Sequence, residues 1–144
     1  MVRIIMFCAL LICSSVKSEA VAQSHSELNS MNLFLEEITE CMAFYNIQYN
    51  IRMKEQNFVS ARKALLYHQN LSMLATGLAR EVDSFPLLPQ LHRSKLEQIL
   101  EEMQNLYSKL GLIEKKYEPP CLELSKNYEK RRKYWLSRVT SQMY

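Results

Sequence analysis

A chain of 144 residues with a net charge of +3 has room for one domain around one core, and so small an excess of charge excludes binding to nucleic acid by bulk electrostatics. Two glycines and four prolines are too few to punctuate a many-stranded sheet or to build phosphate-cradling loops. Long helices are the remaining way to bury the apolar residues.

The chain opens on a targeting signal. Met1, Val2 and Arg3 precede an apolar run from Ile4 to Val16, and small and polar residues lead on to Ala20, Val21 and Ala22. A charged start, a short greasy segment and a small-x-small site define a cleavable signal peptide, and the run falls short of the roughly 20 residues that span a bilayer as a helix. Cleavage is expected after Ala22, ahead of Ala20 or Ser18. The chain then divides into a signal peptide, 1–22, and a single helical bundle domain, 23–144. Ile12 before Cys13 lacks the small side chain that lipid attachment requires. The expected destination is secreted or periplasmic: Ala20-Val21-Ala22 fits bacterial export and also permits a eukaryotic secretory route.

Four amphipathic stripes follow. Leu28, Met31, Leu35, Ile38, Met42, Tyr45 and Tyr49 recur every three or four residues, and Phe34, Cys41 and Phe44 widen the face, which predicts a heavily buried helix from about Ser26 to Glu55. Phe58, Ala61, Leu65, His68, Ser72, Ala75, Ala79 and Val82 make a second stripe, flanked by Leu71, Leu74 and Leu78, with Asn57 as its cap. Asp83 to Pro89, with two prolines, is the turn. His92, Leu96, Ile99, Met103, Leu106, Leu110, Ile113 and Tyr117 form a third stripe that passes Gly111 in phase. The last helix is expected to begin at Pro119 or Pro120, where a missing N–H costs nothing, with Cys121, Leu124, Tyr128, Trp135 and Val139 facing inward. Arg131 or Arg132 falls where that face wants an apolar residue. The fold expected is all-α, an up-down-up-down four-helix bundle with an offset fourth helix as a variant; an irregular helical array is the alternative.

Signal cleavage removes Cys8 and Cys13, leaving Cys41 and Cys121 as a pair that enters an oxidising compartment, so a disulfide between them is expected. Its geometry conflicts with a plain bundle. With Cys121 at the start of the last helix, Cys41 lies about 21 Å away along the axis, whereas a disulfide needs Cα atoms within roughly 4.4–6.8 Å. Bonding therefore requires a break near Gly111, with the residues after it running back along the bundle, or an offset fourth helix.

The sequence carries no nucleophile, base or cofactor motif, so the chain is expected not to be an enzyme and to hold no cofactor or metal. His68 and His92 lie on the stripes of neighbouring helices, but without a haem-attachment, Glu-x-x-His or His-Glu-x-x-His motif they read as core histidines. Glu36, Glu37 and Glu40, and Glu97, Glu101 and Glu102, read as solvated helix faces. Asn70-Leu71-Ser72 spells a glycosylation acceptor, relevant in a eukaryotic secretory route. The local charge asymmetry is C-terminal, where Lys130, Arg131, Arg132, Lys133, Tyr134 and Trp135 form a candidate interaction surface for a protein or an anionic membrane. The function expected is an exported, non-enzymatic bundle acting through such a surface, without nucleic acid. The alternative is a periplasmic-type bundle that binds a metal or haem in its core.

Overall fold

The computed structural model describes the backbone of residues 2–141 and the side chains of residues 25–138. It is all-helical: α1 spans Val2–Lys54, α2 Phe58–Glu81, α3 Leu88–Glu102, α4 Leu110–Lys126 and α5 Tyr128–Ser141, with 3-10 turns at Phe85–Leu87 and Tyr107–Lys109. Among the described residues there is no strand, and no helix is long and apolar enough to cross a membrane. The expected signal peptide, 1–22, lies outside the residues whose side chains are described.

α1 is the axis of the molecule and packs against each of the other four helices. Its composition requires this. From Cys41 to Tyr45 every consecutive side chain is buried, so they point all round the helix, and a helix segment apolar on every side is stable only when surrounded. α2 runs antiparallel to α1, since Tyr67 stacks on Tyr45 at 4.9 Å while Ser84 reaches Asn32. It approaches closely through Ala61, Ala64, Ala75 and Ala79. α4 and α5 also run against α1, because Glu114 meets Gln48 and Arg52, Cys121 meets Cys41, and Arg131 meets Glu37.

The turns follow local chemistry. The Asn57 side chain accepts from the Ser60 N–H at 3.2 Å, the expected cap of α2. Asp83 takes a left-handed backbone, φ 54°, and Pro89 sits in the first turn of α3.

The third and fourth stripes are corrected. α3 stops at Glu102, and Gln104 and Asn105, at φ 53° and 55°, reverse the chain. Met103 and Leu110 are buried on either side of this turn, while Leu106 between them is exposed. The reversal replaces two helical turns, so a stripe read through it keeps its phase by coincidence. The last helical run starts at Leu110, well before the prolines, and its buried residues Leu110, Ile113, Tyr117, Cys121 and Leu124 form one face across them. Pro119 and Pro120 are therefore inside α4, on its exposed side, where the carbonyls they leave without an N–H partner can reach water.

The second stripe holds at Ala61, Ala75, Ala79 and Val82, which are buried together with the flanking Leu71 and Leu78, but its first residue, Phe58, is 62% exposed.

Candidate functional site

Cys41 and Cys121 are bonded, with Cα atoms 5.3 Å apart. Both sulfurs are enclosed in the core between α1 and α4 and belong to its packing. Cys121 reaches Cys41 because the chain reverses at Gln104 and Asn105, close to the break expected near Gly111, and α4 runs back along α1 from Leu110, which removes the axial mismatch expected of a helix starting at the prolines.

The candidate surface on α5 divides in two. Arg131 Nε donates to both carboxylate oxygens of Glu37, at 2.9 and 3.0 Å, and Trp135 Nε1 donates to Glu37 Oε2 at 2.6 Å. Arg132 pairs with Glu81 at the end of α2. These three side chains hold α5 against α1 and α2, so they are fastenings rather than free surface. Lys130, Lys133 and Tyr134 remain on the outside. Arg131 also lies 4.6 Å from the centre of the Tyr134 ring, which fixes that ring beside the lysines. A half-open depression of about 180 Å³ runs along this face, lined by Glu123, Asn127, Lys130, Arg131 and Tyr134.

The roles of Glu37 and Glu81 were hidden from spacing arguments, since Glu37 and Arg131 are 94 residues apart. The available signal was the arginine on an apolar stripe, which asks for a carboxylate opposite. The glutamate-rich stretches serve the same purpose elsewhere, with Lys95 3.6 Å from Glu36 and Lys116 2.6 Å from Glu102. Burial alone would raise the Glu102 pKa, but hydrogen bonds from Lys116 and Tyr117 outweigh it and hold the carboxyl below its ordinary value.

His68 and His92 are neighbours, their ring centres 5.8 Å apart. The Met42 carbonyl lies 3.0 Å from His68 Nδ1, which places the His68 proton on that nitrogen. His92 Nε2 is buried without a hydrogen-bond partner among the described residues, and burial, with the His68 charge second, lowers its pKa. Among the described residues no three histidine, cysteine or acidic side chains converge as a metal ligand set.

A polar depression of about 170 Å³ lies between α1, α2 and α4, where Gln48 and Arg52 both donate to Glu114. Tyr45 lines it, its hydroxyl buried without a hydrogen-bond partner among the described residues, and burial followed by the nearby Glu118 charge raises its pKa. The hydroxyl thus stays a proton donor throughout the ordinary pH range. Compared with models of protein families, curated proteins and solved structures, the chain matches none.

Proposed function

We propose that the chain is an exported, non-enzymatic helical bundle that binds the acidic surface of a partner protein through the outer face of α5. The observation that carries this reading is the division of α5: Arg131, Arg132 and Trp135 turn their polar atoms inward, and Lys130, Lys133 and Tyr134 stand outward beside an open depression. A tyrosine whose ring rests on Arg131, with exposed lysines on the same helix, offers contact area at little entropic cost. The helices are read as an up-down-up-down bundle in which α4 and α5, end to end, make an offset and divided fourth member. The Cys41–Cys121 bond supports an oxidising, secreted or periplasmic destination.

The test is capture of partners from the extracellular or envelope fraction of the source, using the native chain and a Lys130→Glu, Lys133→Glu variant. Both lysines are exposed, so the variant keeps its fold. A specific partner retained by the native chain and lost by at least tenfold from the variant supports the reading; equal retention overturns it.

A further inference from the structure

The end of the molecule farthest from α5 has the character of a membrane-contact surface. The turn from α1 to α2 and the turn from α3 to α4 meet there, since Lys54 Nζ lies 2.9 Å from the Tyr107 hydroxyl and 4.2 Å from the centre of its ring. Arg52 at the end of α1 reaches Glu114 near the start of α4 at 2.7 Å. Two segments, 52–63 and 104–115, thus form one tip.

This tip gathers apolar side chains into solvent. Met53, Phe58, Val59, Leu106, Tyr107 and Leu112 are all exposed, with Val59 at 84% and Leu112 at 64%. Nearly half of the large apolar side chains exposed among the described residues sit here, although single exposed residues scattered over a surface would be ordinary.

The same two segments hold six cations, Arg52, Lys54, Arg62, Lys63, Lys109 and Lys115, against two carboxylates, Glu55 and Glu114. Arg52 engages both carboxylates, and the other five cations form no ion pair among the described residues. The charge of the tip therefore exceeds that of the whole chain, +3, and the remainder is slightly acidic.

We infer that this tip docks on anionic lipid bilayers. Apolar side chains on two adjoining turns suit the boundary between headgroups and acyl chains, into which such residues enter by about 5–10 Å. Lysine and arginine one or two turns back can extend their charged ends to lipid phosphates while their stems lie along the apolar surface. Tyr107, apolar in its ring and polar at its hydroxyl, suits the interface itself. The surface is separate from the α5 face and does not depend on the partner proposed there.

The test uses the full chain with phosphatidylcholine vesicles and with phosphatidylcholine vesicles containing phosphatidylglycerol. A Phe58→Trp variant reports on this site over the background of the native Trp135. The expected result is a shift of the added emission to shorter wavelength and its quenching by brominated lipid, on the anionic vesicles only. Val59→Asp with Leu112→Asp should abolish the response, judged against unchanged far-ultraviolet circular dichroism. Lys63→Gln with Lys109→Gln should weaken it about 25-fold, near fivefold for each charge removed. Added emission that stays unshifted while the protein sediments with vesicles would assign binding to another segment and overturn the inference. Self-association in solution that the aspartate variant abolishes, with no response to vesicles, would assign the tip to a second copy and overturn it equally.

Discussion

Cys41 in the C-terminal part of α1 is bonded to Cys121 in α4 across 80 residues of sequence, and this one bond ties the height of α4 to that point on α1. The chain-entropy model gives a loop of this length about 4 kcal/mol of stabilisation, by restricting the unfolded chain. Reduction should therefore lower the urea midpoint sharply while the helical circular dichroism of the native state persists. A Cys41→Ala, Cys121→Ala variant should match the reduced protein. Equal midpoints with and without reductant would show that the bond contributes nothing to stability.

Glu37 fastens α5, accepting from Arg131 and from the one tryptophan of the chain. Hydrogen bonds to a charged group contribute about 1.5–3 kcal/mol, but Arg131 is 38% exposed and solvent weakens its share, so Glu37→Ala should cost about 1–2 kcal/mol. Trp135 gives a direct readout. Its emission should move to longer wavelength in Glu37→Ala as α5 loosens, and much less in Glu37→Gln, which keeps a neutral acceptor. Emission identical to the native protein in Glu37→Ala would mean that apolar packing alone holds α5.

The all-helical class, the cysteine pair and the cap at Asn57 were legible because each rests on local chemistry or on elimination. The reversal before α4 was legible only through the cysteines, whose bond asks for a break near Gly111 or an offset last helix; its place at Gln104 and Asn105 was not, since the seven-residue interval from Met103 to Leu110 is close to two helical turns and leaves the stripe unbroken. The basic cluster of α5 was visible, yet its sorting into Arg131 and Arg132 inside and Lys130 and Lys133 outside depends on Glu37 and Glu81, which only the fold brings near. The apolar tip was illegible for the same reason. Phe58 fits the α2 stripe by spacing, and Ala61, Ala75 and Ala79 of that stripe are buried, but Phe58 is the first residue of α2 and stands exposed at the turn.

His92 makes stability depend on pH. Burial lowers its pKa in the folded state from 6.5, so the unfolded chain takes up a proton more readily. Stability is then full above the unfolded pKa and falls as pH drops through the window between 6.5 and the lower folded value. His92→Leu should remove this slope and, by deleting the unpartnered Nε2, raise stability at neutral pH by about 1 kcal/mol. Glu102 titrates in a separate and more acidic window, because its pKa is lowered from 4.5. Thermal unfolding from pH 7 to 5 distinguishes the two, and a slope unchanged in His92→Leu would assign it elsewhere.

The reversal between α3 and α4 is built from two consecutive left-handed residues, neither of them glycine. For an L-residue this backbone costs roughly 1–2 kcal/mol, less for asparagine, whose short polar side chain tolerates it. Gln104 therefore carries most of the strain. Gln104→Gly relieves it, and the larger conformational entropy of glycine in the unfolded chain returns about 0.5–1 kcal/mol, so the net gain should be about 0.5 kcal/mol. The Lys109 hydrogen bond lost with the Gln104 side chain is exposed and offsets little of this. Asn105→Gly should change stability less. Ser94→Gly, on the exposed face inside α3, should instead destabilise by about 0.5 kcal/mol, because there glycine relieves nothing. Chemical denaturation of the three variants reads the contrast: opposite signs at 104 and 94 locate the chain reversal where the third stripe is continuous in sequence, and equal losses would restore an uninterrupted helix.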